Sequence, residues 1–240
     1  ISLGSSVVVT LKGPNALSLR TRNNGDLTLS TQLIANGGDA TGSYGSSVGG
    51  EALLGGYPGV KRFLNGMGPG AGQDRSLNND GAGAGYGRRG PVIPWDAETG
   101  YGDAYGDLHL NDLLGGSSGG GGDRYGSGAG GGAIELWAHG VGSLTLGTGS
   151  KISVNGGDTN NANRGGGGGS GGSIRLVGGS ITNDGQLEAR GGGIGNSGLA
   201  NWDGAGGRIA FDSNGSVKIG SYDLSGHSIS VNYSYYPHLD

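Results

Sequence analysis

The chain has 240 residues, of which 62 are Gly; 32% are hydrophobic, 14% are charged, and the net charge is −4. That length suits one domain or one repeat array, and the modest charge argues against disorder by self-repulsion. No basic run exceeds Arg88-Arg89, no apolar run approaches the roughly 20 residues of a membrane span, and Cys is absent, so nucleic-acid binding, a transmembrane segment and thiolate or disulfide chemistry are all disfavoured.

Val7-Val8-Val9-Thr10-Leu11 reads as a strand, and residues 1–16 as an N-terminal strand or cap. Leu17-Ser18-Leu19 begins a three-strand unit that continues with Leu27-Thr28-Leu29 and Leu33-Ile34-Ala35, and closes at Asn36-Gly37-Gly38-Asp39. Residues 40–129 form a long Gly-rich insertion that holds most of the Tyr, Pro and Arg. A structureless loop of that length is unusual, so the insertion is expected to be tied down by its own residues and to be the place to look for binding.

Residues 130–227 repeat the unit. Ile134-Glu135-Leu136, Leu144-Thr145-Leu146 and Ile152-Ser153-Val154 end at Asn155-Gly156-Gly157-Asp158; Ile174-Arg175-Leu176, Ile181 and Leu187 end at Gly191-Gly192; Ile209-Ala210-Phe211 and Val217 begin another copy. Ile174 follows Ile134 by 40 residues, and Ile209 follows Ile174 by 35. A unit of this size cannot bury its apolar face alone, and stacked repeats can. The pattern predicts an all-β chain treated as one domain, 1–240. The expected architecture is a right-handed parallel β-helix, or solenoid, with a long Gly-rich insertion; a β-sandwich is the alternative. Leu17, Ile134, Ile174 and Ile209 are expected to share one interior column, and Leu33, Ile152 and Leu187 another. Gly serves the positive-φ corners, and Asn36, Asn155 and Asn183 suit them too. Without Gly at every third residue, collagen and regular polyglycine bundles are not expected. Residues 228–240, with alternating Ile229, Val231, Tyr233 and Tyr235, read as a C-terminal strand or cap.

The stretches Gly83-Ala84-Gly85-Tyr86-Gly87, Tyr105-Gly106-Asp107, Gly126–Leu136, Ile152–Asp158, Gly165–Leu176 and Gly204–Phe211 resemble, in order and spacing, the Gly-rich repeat regions of large extracellular or surface proteins of plants, protists, animals and some bacteria. The resemblance covers about Ile34 to Phe211 and departs at Tyr86, where the family usually has His. It implies a secreted or surface location and a matrix, adhesive or appendage role. Ile1 is not an initiator Met, and a processed or excised piece is the expectation.

No metal-spaced His pair and no nucleophile elbow is present, and nucleotide-loop matches are trivial in so Gly-rich a chain. The expectation is therefore a non-enzymatic structural module, self-assembling or joined to other matrix or filament subunits, with no cofactor. A carbohydrate-binding or polysaccharide-processing β-helix is the alternative. For assembly the candidates are Val7, Val8, Val9, Tyr233 and Tyr235 at exposed ends. For polysaccharide they are Trp95, Tyr101, Tyr105 and Trp202, which could stack on sugar rings. A ladder of Glu135, Arg175 and Arg208 is expected on the outer face, as a surface ion pair or a polysaccharide-processing pair. Asp39 and Asp158 would be the ligands in a weaker Ca²⁺ alternative, with Asx turns as the plain reading. Asn214 and Asn232 head glycosylation sequons, relevant in a eukaryotic secretory route.

Overall fold

The computed structural model describes residues 1–75, 80–90, 100–159, 165–193, 203–220, 222–223 and 229–232. Sixteen strands run in chain order: β1 Ser2–Leu3, β2 Leu17–Arg20, β3 Leu27–Leu29, β4 Gln32–Ile34, β5 Asp74–Arg75, β6 Asp80–Gly81, β7 Ala133–Trp137, β8 Ser143–Leu146, β9 Lys151–Ser153, β10 Ser173–Gly178, β11 Ser180–Asn183, β12 Gln186–Glu188, β13 Arg208–Ser213, β14 Val217–Ile219, β15 Tyr222–Asp223 and β16 Ile229–Asn232. No helix occurs among the described residues.

The strands pair across units. One sheet runs β1-β3-β8-β11-β14-β15, a second β16-β13-β10-β7-β2, a third β12-β9-β4; β5 and β6 form a small antiparallel pair. All pairing in the three large sheets is parallel except at their last members, where β15 lies antiparallel on β14 and β16 antiparallel on β13. Leu17, Ile134, Ile174 and Ile209 stand in register, as do Leu33, Ile152 and Leu187. Between the sheets lies one core, in which Leu27, Leu29, Ile134, Leu136, Leu144, Leu146, Ile152, Ile174, Leu176 and Ile181 are fully enclosed.

The β-helix expectation is nevertheless corrected. The chain forms parallel sheets of five, four and three strands, and these do not make a clear solenoid. Nor is there a β-sandwich, whose sheets are antiparallel. The physical reason lies in the Gly-rich segments, which we expected to be corners and linkers. They form a second packed body made of backbone alone.

In residues 127–132 the amide donors turn through three neighbours in strict succession. Ser127 and Gly130 donate to Val60 and Tyr57, Gly128 and Gly131 to Gly167 and Ser170, and Ala129 and Gly132 to Gly38 and Ala35. The same period of three recurs downstream. Gly167 and Ser170 donate to Gly120 and Ser117, while Gly169 and Gly172 donate to Gly157 and Val154. An extended chain with three residues per turn presents its donors in this way, and bundling satisfies the backbone groups that such a helix leaves open. A β-strand, with its period of two, would reach only two neighbours.

The exclusion of a polyglycine bundle is therefore also overturned. Gly at every third position is needed when only one side of the chain is crowded. Here segments such as 126–132 are surrounded, so almost every residue is Gly, Ala or Ser. The insertion is part of this body: Gly50, Gly59, Gly72, Ala82, Ala84 and Gly102 all bond into it.

Two local expectations also change. Val7 to Leu11 is not a strand; the strand at this end is β1, while Val9 and Leu11 pack on the core edge. Asn36, Asn155 and Asn183 do not take positive φ; the non-Gly residues that do are Asn23, Asn24, Leu54, Phe63 and Leu110 among those described.

Candidate binding groove

The Asn-Gly-Gly-Asp repeat builds a ladder where the third sheet meets the glycine bundle. Asn36 Oδ1 accepts the Asn155 N–H at 2.9 Å, and Asn155 Oδ1 accepts the Arg190 N–H at 2.8 Å. One step along, Asp39 Oδ1 accepts the Asp158 N–H at 2.8 Å and Asp158 Oδ1 accepts the Gly193 N–H at 2.7 Å. Each side chain thus bonds the backbone of the next unit and holds the register. The recurrence was visible in the sequence; that the side chains bridge units, instead of bending their own turns, was not.

These residues line a groove of about 570 Å³ that also includes Arg190 and Asp203. Burial, and then the negative charge of Asp39, push the Asp158 carboxyl above its ordinary range; the Gly193 N–H partly offsets them. Beside the groove, Glu188 takes Lys151 Nζ at 2.9 Å and the Asn155 side-chain amide at 3.1 Å. Desolvation pushes Glu188 up, but the bonds from Lys151 and Asn155 and the charges of Lys151 and Arg190 outweigh it and hold the carboxyl below its usual range. Among the described residues no group of His or carboxylates is arranged to hold a metal ion. Asp39 and Asp158 each spend one oxygen on a backbone amide, so the arrangement is that of a register ladder.

The outer face of the second sheet carries a charged chain. Glu135 is 2% exposed and binds Arg20 at 2.8 Å, Arg175 at 3.1 Å and the Ser18 hydroxyl at 2.6 Å. Arg175 also reaches Asp212 at 2.9 Å. The expected Glu135–Arg175 contact is present, but Arg208 is not its next member. Arg175 stands opposite Ala210, and Arg208 opposite Ser173. The Arg208 guanidinium lies 5.6 Å from the Tyr86 ring instead.

Of the sugar-stacking candidates, the two described ones are turned inward. Tyr101 is 5% exposed and packs with Ala82. Tyr105 lies 4.5 Å from Tyr86, centroid to centroid, and donates its hydroxyl to the Gly115 carbonyl at 2.6 Å. Burial pushes both phenols up, Tyr86 to about 12. Trp95, Trp202, Tyr233 and Tyr235 lie outside the described residues. Of the assembly candidates, Val7 and Val8 are exposed and Val9 is half-buried. Asn214 is exposed in the turn after β13; Asn232 stands in β16 opposite Arg208.

Sequence reasoning missed one further depression, beside Trp137 on the second sheet. Its only signal was an aromatic at an outward strand position. No helix among the described residues is long and apolar enough to cross a membrane. Comparison with family models, with curated proteins and with solved structures returns no match.

Proposed function

We propose that this chain is a non-enzymatic structural module of an extracellular or cell-surface assembly, joining a second copy or another matrix or filament subunit through the β2–β4 end of its sheets. The observation that carries the reading is the difference between the two ends of the stack. At the far end β16 and β15 fold back over β13 and β14, and Ile209 and Phe211 are only 2% and 4% exposed, while the third sheet ends at β12 with no strand beyond it among the described residues; at the other end β1 lies alongside β3. At the near end β2 and β4 are the last strands of their sheets, with no further strand beside them among the described residues. Leu17 and Leu19, in register with the units behind, are half-buried. Ile1, Val7, Val8 and Ile34 add exposed apolar surface, Val8 at 90%.

An open edge with an apolar margin is a template for another strand. Backbone pairing needs no pocket and no reactive group. The resemblance to surface-protein repeats supports the location. The alternation of amides along β4 leaves the Gln32 and Ile34 N–H groups pointing away from β9, because the Ala35 N–H bonds the Ser153 carbonyl.

Sedimentation velocity and electron microscopy test the reading. The wild-type chain should form concentration-dependent assemblies. Gln32→Pro, which removes one outward donor, and Ile34→Lys, which charges the edge, should each yield monomer with unchanged far-ultraviolet circular dichroism. A wild-type chain that stays monomeric at high concentration, or edge variants that assemble as well as wild type, would refute it.

A further inference from the structure

We propose that the outer face of β7, β10 and β13 carries a binding site for the terminal unit of a neutral saccharide chain. The inference does not depend on end-on assembly. Arg20, Trp137, Val177 and Asp212 stand in register across four neighbouring strands. The Arg20 guanidinium lies 4.3 Å from the indole centroid and covers Trp137 on the β2 side, while the Arg175 guanidinium stands 6.0 Å from the same centroid and the His139 ring lies 6.2 Å away, nearly parallel to it. On the other side, towards Val177 and Asp212, a depression of about 330 Å³ opens, rimmed by His139, Ser213 and Asn214. That volume lies at the low end of ligand pockets, which run on the order of 300–1,000 Å³, and it suits an end unit lying against the sheet.

The chemistry of the walls selects the ligand. Trp137 and Val177 form an apolar strip that matches the C–H face of a pyranose ring, and an aromatic flanked by polar groups is the usual amphipathic platform. Asp212 supplies the hydroxyl acceptor. Its Oδ2 is held by Arg175 at 2.9 Å and the side chain is 49% exposed, so an already oriented carboxylate is open to solvent. The Ser213 hydroxyl is committed, donating to the Gly179 carbonyl at 3.1 Å and accepting the Gly215 N–H at 3.2 Å. His139 and Asn214 are exposed on the rim and can take the remaining hydroxyls. The Asp212 carboxylate would repel a uronate or sulfate at the same place, and a purely apolar ligand would cover its second oxygen without offering it a donor. A neutral sugar satisfies both walls.

Calorimetric titration of the whole chain with cellotetraose, mannotetraose and β-1,4-galactotetraose, with polygalacturonate as the acidic comparator, tests the site. At least one neutral oligosaccharide should bind saturably. Trp137→Ala and Asp212→Ala should each weaken it about tenfold or more, the ratio carried by about 1.4 kcal/mol, while Trp137→Phe retains binding. Asp212→Ala decides the matter if loss of the indole disturbs folding, because its side chain is half in solvent. Three inert neutral probes, affinity that survives both substitutions, or binding of polygalacturonate alone would overturn the proposal.

Discussion

Substitution of Gly126 by Ala tests the glycine bundle directly. A Cβ at this position would stand 2.6 Å from the Val60 carbonyl oxygen, 2.9 Å from the Val48 carbonyl carbon and 3.0 Å from the Gly49 nitrogen. All three are backbone atoms, so no side chain can rotate away. The Val60 oxygen is also held by the Ser127 N–H at 3.0 Å, and the Gly126 N–H by the Ser47 hydroxyl at 3.0 Å. Retreat therefore strains or breaks hydrogen bonds. Overpacking of a rigid interior costs about 1–3 kcal/mol, and weakening one buried hydrogen bond adds about 1 kcal/mol. A loss of about 2–4 kcal/mol corresponds to a fall in melting temperature of roughly 4–16 °C at this chain length. Gly4→Ala is the control: nothing lies within 4 Å of its Cβ position, and the change should stay within about 0.5 kcal/mol. Gly169→Ala, which would drive a methyl into the Ala129 carbonyl, should be worse than Gly126→Ala. Differential scanning calorimetry of the three variants ranks them. If Gly126→Ala melts with Gly4→Ala and wild type, backbone contact does not hold these segments together.

Glu135→Gln should lower stability by about 3 kcal/mol in chemical denaturation, because it leaves the largely buried Arg175 facing an amide where a carboxylate had bound it; a loss under about 0.5 kcal/mol would show that Asp212 alone satisfies Arg175. In alkali, the phenols of Tyr86 and Tyr105 are held in the neutral form by burial. Their folded pKa lies above the unfolded value of about 10, so the stability they contribute is complete below that value and is lost as the pH rises towards the folded one. Spectrophotometric titration should show at least two tyrosines ionising only with alkaline unfolding, and Tyr105→Phe should remove one of them; free titration of all ten near pH 10 would contradict the burial.

Much of the sheet body was legible in the sequence because strand periodicity is local. Leu17, Ile134, Ile174 and Ile209 announce one another by the same apolar–polar alternation, and register follows once units are stacked. The outward Glu135–Arg175 contact follows from that register too. The same register places Arg208 opposite Ser173 and Ala210 opposite Arg175, so the ladder expected to continue through Arg208 did not follow from it. The candidate grooves were legible only in part. Asn36, Asp39, Asn155 and Asp158 declared themselves by repetition, but their bonds run to the next unit, and Trp137 gained its depression only when β10 and β13 came alongside.

Local pattern was enough to establish that short strands recur, which residues face inward, and that this glycine content had to serve close backbone approach or turns. It could not say which. Apolar side chains carry a period that survives in one dimension; glycine carries none, since a residue without a side chain has no face. Whether a run such as Gly165–Gly169 bends, links or packs depends on which other segments surround it. Only the tertiary structure brought residues 38, 57–60, 116, 119, 157 and 167–170 around segment 126–132, and so turned a compositional excess into a bundle with a period of three. The same assembly laid β15 on β14 and β16 on β13 at one end and left β2 and β4 as the last strands of their sheets at the other, an arrangement that no local pattern encodes.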